Sequence, residues 1–323
     1  MKDSAVLLID CPDRKGLVAR VAGLLYERGA NILHADQHQD HDLGLFFMRV
    51  EWALDGSSKI ETAADEPGSP HGPRVQSTAS SGRMEGTTSP EEQRSGRFDL
   101  AGFKAAFAPL AADLGMRWKL FAAMQPTKVA LFCSQYLHCI ADLLERWRAG
   151  ELQCEIPVVV SNHRDVERLA GFYGIPFELI PVTSAARADA EVQQRELLAR
   201  HNVELVVLAR YMQILSPSFV ACYPAAIINV HHSFLPAFTG ARPYHAAHAR
   251  GVKLIGATSH YVTDQLDDGP IIEQDVARIS HRDQVEDLVA RGRDLERVVL
   301  SRAVRWHLDR RILCYGNKTV VFD

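Results

Sequence analysis

The segment Asn229-Val230-His231-His232-Ser233-Phe234-Leu235-Pro236 follows a short apolar run, Ile227 to Val230, that reads as a β-strand. Side chains alternate along a strand, so Asn229 and His231 share a face. An amide donor and an imidazole presented together suit an oxygen that turns negative as a carbonyl is attacked. Beyond the next candidate strand, Leu254 to Val262, lies the acidic turn Thr263-Asp264-Gln265-Leu266-Asp267-Asp268-Gly269-Pro270, which could carry a carboxylate to the pair. Asn, His and Asp together would support carbonyl chemistry without a covalent nucleophile. On spacing alone a plainer reading stays open: a strand-end Asn also serves as a turn or cap residue, and an Asp-Asp-Gly loop as a solvated turn.

Other chemistries find less support. The chain contains no GxGxxG, no GxxxxGK followed by Ser or Thr, no GxSxG and no HExxH, which removes the commonest nucleotide, serine-hydrolase and zincin readings. His245 and His248 sit three apart on an expected helix, and with His231, His232 and His260 they could suggest zinc or iron. No fixed ligand spacing supports that, so no metal is expected. The six cysteines, Cys11, Cys133, Cys139, Cys154, Cys222 and Cys314, show no CxxC pairing and read as reduced core thiols.

The elements that must position the Asn, His and Asp set follow from periodicity. From residue 126 the chain alternates strand and helix: strands Lys128 to Phe132, Ile156 to Val160, Phe177 to Val182 and Leu205 to Ala209 are separated by helices Leu137 to Trp147, Arg164 to Tyr173 and Ala188 to His201. Short apolar strands between helices predict an α/β unit with a doubly wound, mostly parallel sheet. A long amphipathic helix is expected from about Asp283 to His307. Ligands of such sheets sit beyond the carboxyl ends of the strands, which directs attention to the loops after Ala209, Val230 and Val262.

Residues 1–124 read differently. A strand Ala5 to Ile9, a helix opened by Pro12-Asp13 and stopped by Gly29, strands Asn31 to Gln39 and Gly44 to Trp52, a helix carrying Phe103, Phe107, Leu110 and Leu114, and a strand Arg117 to Ala122 give the split βαβ order of a ferredoxin-like α+β domain. Between them, residues 55–97 offer only Ile60, Val75 and Met84 as large apolar side chains, and the segment reads as a disordered insertion. Gln125-Pro126-Thr127 reads as a linker to a second unit, 126–323.

Composition bounds the partners. The 323 residues are 47% hydrophobic and 24% charged, as expected of a globular protein of about two domains. With 36 Lys and Arg against 40 Asp and Glu, the net charge of −4 offers no overall attraction for a phosphate backbone, so no nucleic-acid partner is expected. The only early apolar run is Ala5 to Ile9, and no stretch nears the ~18 apolar residues of a membrane span. A cytoplasmic protein without a membrane partner is the expectation.

The carboxyl-terminal motifs carry a resemblance. Asn229-Val230-His231 with Ser233-Phe234-Leu235-Pro236, and Asp264 to Pro270, resemble the Asn-x-His, Ser-x-Leu-Pro and Asp-x-Leu-Asp-x-Gly-Pro motifs of the folate-dependent formyltransferase family, specifically its formyltetrahydrofolate deformylase branch. The resemblance implies catalytic roles for Asn229, His231 and Asp267. It places a pterin slot at Ala209 to Leu215, with Arg210, Tyr211, Met212, Ile214 and Leu215 on the substrate side together with Asp264 and Gly269. It implies hydrolysis of 10-formyltetrahydrofolate to formate and tetrahydrofolate with no cofactor, supplying formate for purine synthesis and balancing one-carbon pools.

Cys11-Pro12-Asp13-Arg14-Lys15-Gly16-Leu17-Val18-Ala19-Arg20 resembles the opening of an ACT domain, which deformylases carry ahead of the formyltransferase fold. An amino-acid effector held by Asp13, Gly16, Leu17, Asn31 and Ile32 between two copies of the chain is the matching expectation, and with it a homo-oligomer. In place of the Gly-rich phosphate turn of the glycinamide ribonucleotide transferases stands Cys133-Ser134-Gln135-Tyr136-Leu137-His138-Cys139, without glycine. The alternatives are a formyltransferase acting on an amine such as a nucleotide sugar or a tRNA, and an amino-acid sensor whose second domain is inactive.

Overall fold

The computed structural model describes residues 3–54, 97–122, 126–237 and 243–323. The segment read as a disordered insertion, apart from Arg97, lies outside the described residues, as does Gly240-Ala241-Arg242. Among the described residues no helix is long and apolar enough to cross a membrane.

Strands β1 (Ser4–Pro12), β2 (Asn31–Asp40), β3 (Leu45–Ala53) and β4 (Arg117–Ala122) form an antiparallel sheet in the order β2-β3-β1-β4. Helices α1 (Leu17–Glu27) and α2 (Leu100–Leu114) cover one face, where Leu7, Ile9, Val21, Leu25, Phe103 and Phe107 pack around Trp52. The alternate residues of β1, Val6 and Leu8, meet Leu313, Tyr315, Val320 and Phe322 on the other face. These belong to a carboxyl-terminal hairpin, β12 (Ile312–Tyr315) and β13 (Lys318–Val321), absent from the sequence reading because two four-residue strands give almost no periodic signal. The hairpin and its approach tie the domains together. Arg49 donates to the carbonyls of Asp309 and Arg310 at 3.2 and 3.1 Å, and the Tyr315 hydroxyl donates to Asp40 at 3.1 Å.

Helix α1 starts later than the expected Pro12-Asp13. The chain turns first at Gly16, whose φ of 88° is open to glycine but strained for other residues, and the Asp13 N–H is taken by the Gly44 carbonyl.

The second sheet has the order β11-β10-β9-β8-β5-β6-β7. Strands β5 (Thr127–Cys133), β6 (Cys154–Ser161), β7 (Phe177–Leu179), β8 (Leu205–Ala209) and β9 (Ile227–His231) run parallel, with α3 (His138–Arg148), α4 (Glu167–Phe172), α5 (Arg187–Arg200) and α6 (Pro217–Val220) in the connections. The chain builds outward from β5 through β6 to β7, then returns to lay β8 on the other side of β5. That reversal is the switch point of the sheet. Strand β7 is shorter than expected because Pro181, which cannot donate to a ladder, ends it early.

Beyond β9 the sheet turns antiparallel, with β10 (Leu254–Tyr261) paired to β9 and β11 (Ile271–Arg278) to β10. The loop after Val262, one of the three to which the sequence directs attention, lines a cavity but does so from an antiparallel strand. The loop starts at the opposite end and returns toward the face bearing Asn229 and His231. Helix α7 (Pro243–Arg250) and the long α8 (Val285–Leu308) complete the unit, and α8 buries Val299, Leu300, Ala303 and Val304.

Candidate active site

A cavity of about 550 Å³ opens between the loop after β8 and the loop after β10, with Asn229, His231 and His260 in its wall. The β9–β10 register sets Asn229 directly opposite His260, and cross-strand partners project to the same face. The His260 Nδ1 lies 2.9 Å from the Tyr261 carbonyl oxygen, and its Nε2 lies 3.3 Å from the Asn229 amide nitrogen. A carbonyl only accepts, so Nδ1 carries the proton and Nε2 accepts from the amide. Burial depresses the His260 pKa and favours this neutral form, although the Tyr261 carbonyl and Asp267 pull the other way. One amide N–H of Asn229 is thereby fixed and the second is left for a ligand.

His231 stands at the end of β9, its Nδ1 3.2 Å from Asp267 Oδ2. Its Nε2 is buried without a hydrogen-bond partner, an arrangement a protein tolerates where a ligand supplies the missing partner. The hydrogen bond from His231 holds the Asp267 carboxyl below the usual carboxylate range against the opposing effect of burial. Asp267 adopts φ 55°, a left-handed conformation that costs a non-glycine residue of order 1 kcal/mol. The loop maintains it by close packing: a Cβ placed on Gly269 would fall 1.7 Å from the Tyr261 carbonyl oxygen. The loop after β9 is pinned as well, since Thr258 Oγ1 donates to the Ser233 carbonyl at 2.9 Å and accepts from the Leu235 N–H at 3.1 Å.

The structure thus brings Asn229, His231 and Asp267 together and adds His260, which the sequence reading placed only among metal candidates. Its signal was parity: once β10 is known to run antiparallel to β9, Thr258 and His260 must face His231 and Asn229. Of the substrate-side residues, Met212 and Ile214 are 51% and 55% exposed at the cavity and Leu215 is buried beside them. Asp264 also lines the cavity. Tyr211 lines the cavity too, although its ring packs on Phe132 at 5.2 Å and its hydroxyl accepts from Gln194. One assignment is corrected. Gly269 is not among the lining residues and acts by letting the loop close on β10.

The effector residues are not gathered within one chain. Asp13 accepts from Gln39 near the end of β2, while Asn31 and Ile32 are exposed at its beginning, about 25 Å away along an extended strand. Leu17 is corrected from ligand contact to core, since it is 2% exposed and packs under the first sheet.

Arg210, expected on the substrate side, lines the cavity but also reaches a buried polar cluster. Its Nε is 3.5 Å from Glu296 Oε2, which also meets His138 Nε2 at 2.8 Å, and the Tyr244 hydroxyl donates to Glu296 Oε1 at 2.8 Å. Burial works to raise the Glu296 carboxyl, but the His138, Arg210 and Tyr244 contacts outweigh it and leave it below the usual range. His138, Cys139 and Glu296 are close enough to share a cation. The guanidinium beside the carboxylate and the strongly raised thiol of the buried Cys139 make that site unfavourable for one.

Residues 5–51 match the ACT domain and residues 127–304 match the family described as formyl transferase. Formyltetrahydrofolate deformylases from Synechocystis sp. and Bacillus subtilis are 47% and 43% identical, covering 99% and 100% of this chain and 98% and 95% of theirs. The crystal structure of a formyltetrahydrofolate deformylase from Pseudomonas syringae, 42% identical, superposes with a TM-score of 0.85 over 100% of this chain and 95% of that one. A glycinamide ribonucleotide transformylase from Symbiobacterium toebii, 29% identical with a TM-score of 0.58, covers 64% of this chain and 98% of its own. Likeness to the deformylases runs through both domains, and by that measure the chain belongs to the formyltetrahydrofolate deformylase family.

Proposed function

We propose that the protein hydrolyses 10-formyltetrahydrofolate to formate and tetrahydrofolate, with Asn229, His231 and Asp267 as the catalytic residues. The observation that carries the mechanism is the unpartnered, buried His231 Nε2 beside the free amide N–H of Asn229, with a carboxylate behind Nδ1. A formamide resists water because its nitrogen donates into the carbonyl, so the tetrahedral oxyanion must be stabilised. Two aimed donors do that, each worth about 10² to 10³ in rate. With Nε2–H on the oxyanion, Nδ1–H remains on Asp267, whose charge balances the ring. Asp267 accepts the proton of the attacking water, directly or through a relay. Water oxygen bonds to the formyl carbon, the carbon–N10 bond breaks, and N10 takes the proton.

The exposed apolar side chains Met212 and Ile214 supply the surface for a pterin, and Asp264 the polar rim. No cofactor enters this mechanism, and the formate released would serve purine synthesis and the balance of one-carbon pools. For the first domain the corresponding proposal is an amino-acid effector bound between two copies, where Asp13 and Gly16 of one could approach Asn31 and Ile32 of the other. Incubating the purified protein with 10-formyltetrahydrofolate tests the central reading: formate and tetrahydrofolate should appear in equal amounts without any added amine. Absence of formate would overturn it.

A further inference from the structure

A doubly wound sheet offers its ligand crevice beyond the carboxyl ends of the strands at the switch point, here β5 and β8. In this protein that crevice is filled by the chain itself. Tyr136 enters from the loop after β5, His138 from the start of α3, Arg210 from the loop after β8, Tyr244 from α7 and Glu296 from α8. The Arg210 guanidinium lies 5.0 Å from the centre of the Tyr136 ring and beside Glu296, which is 1% exposed and held on its other sides by His138 and Tyr244. The Met212 N–H donates to Ser134 Oγ at 3.2 Å, and Ser134 donates to Asn162, so the two loops are tied across the crevice.

Its construction is deliberate in two places. Arg210 is held at φ 63°, a conformation costly outside glycine. Gly292, one turn before Glu296, leaves the space the Tyr244 hydroxyl occupies, since a Cβ there would lie 2.0 Å from it. Buried ion pairs add little stability over apolar packing of the same volume, so filling space does not account for four polar groups at this position. They adjoin the reaction centre: the His232 ring lies 5.0 Å from that of His231 and 6.0 Å from that of Tyr244.

We propose that the Glu296 cluster is a specificity device that closes the acceptor side of the cavity to amines and leaves water as the nucleophile. The inference rests on the hydrolase reading above. A primary amine must bring a substituent as well as its nitrogen to the formyl carbon, and on the side of the cavity bounded by Arg210 the space behind that wall is held by Tyr136, His138 and Tyr244. Water carries no substituent and is not excluded by size. If the device is opened, an amine nitrogen bonds to the formyl carbon, the carbon–N10 bond breaks, and the proton lost by the amine passes to N10. The fold itself permits such an acceptor, as the transformylase similar over 64% of this chain indicates by its name.

The test opens the device without touching Asn229, His231 or Asp267. The Tyr136→Ala/His138→Ala double variant leaves Glu296 paired with Arg210 and Tyr244, and Tyr136→Ala alone serves if the double variant does not fold. Tetrahydrofolate, formate and formylated amine are counted with glycinamide present at mildly alkaline pH against an enzyme-free control. The wild type should give formate alone, and the opened variant should raise the ratio of formylated amine to formate at least about tenfold. A folded variant that still releases tetrahydrofolate but forms no more formylated glycinamide than the wild type overturns the proposal, as does a wild type that already formylates the amine freely. A wild type that releases no formate instead sinks the hydrolase reading, a separate result.

Discussion

The two domains treat their polar side chains in opposite ways. Around the second sheet, His231 Nε2 is buried without a hydrogen-bond partner, while Arg210 pairs with Glu296 and Asp267 with His231. On the first sheet, Asp13 is already bonded to Gln39, Leu17 belongs to the core, and Asn31 and Ile32 stand open at the far end of an exposed edge strand. The proposed catalytic residues meet within a single chain, whereas the proposed effector residues do not.

The strongest test of that self-sufficiency is Asp267→Asn, which keeps shape and removes the charge behind His231. The expected outcome is a fall in kcat of at least about 10²-fold with folate affinity nearly kept. Steady-state kinetics and equilibrium binding check it, and activity within a few-fold of wild type would remove Asp267 from the mechanism.

A smaller effect should follow from His260→Ala, because His260 holds the Asn229 amide that in turn meets the oxyanion. The amide loses the acceptor that fixes its orientation but keeps its donors. The expected loss is about tenfold to 10²-fold in kcat with KM little changed. Combining it with Asn229→Ala should cost less than the sum of the two single losses. A purely structural His260 would instead give additive effects.

His232 distinguishes the domains by stability. Burial, helped by Arg210 and His231, lowers its pKa to about 4 in the folded protein, against about 6.5 when unfolded. Between those values the unfolded chain binds a proton that the folded chain refuses, so acid favours unfolding. The His232 contribution to stability should drop by roughly 3 kcal/mol as pH falls from about 6.5 to about 4, beside those of His260 and His307, whose pKa values are also lowered by burial. Asp267 is shifted the same way, below its ordinary carboxyl value, so its own loss of stability in acid falls below this window. The variant His232→Asn should flatten the acid limb of the melting-temperature profile; an unchanged limb would place the proton uptake elsewhere.

How much of this was legible before the structure depended on distance along the chain. Strands β4 and β8 were read with their observed bounds, and the alternation of β5 to β9 sufficed for the sheet, because local periodicity encodes each element. Asn229 and His231 were legible for the same reason, two residues apart on one strand. His260 was not, since its role depends on the antiparallel direction of β10, a fact of pairing rather than of composition. Glu296 left a trace that was overlooked: with Gly292, Leu300 and Ala303 it lies on the buried stripe of α8, where a carboxylate needs a partner. The partners, His138, Arg210 and Tyr244, are 52 to 158 residues away in sequence, and no spacing rule reaches that far.

The smallest expected effect concerns the first domain. The residues flanking the low-hydrophobicity segment meet directly, since the Phe98 N–H donates to the Leu54 carbonyl at 2.9 Å and the Leu54 N–H to the Asp3 carbonyl at 2.8 Å. Joining Gly56 to Arg97 therefore spans a short gap between points the fold already holds together. Shortening a loop changes its closure entropy by only about 0.6 kcal/mol per halving of length, and the three large apolar residues removed supply almost no core. Melting temperature and formate release should both stay essentially at wild-type values, as differential scanning and the hydrolysis assay would register. A large fall in either would mean that the segment contributes contacts to one of the two domains. A fall in hydrolysis alone would extend the reaction centre beyond the second domain, and the contrast between a self-contained site and a shared one would have to be redrawn.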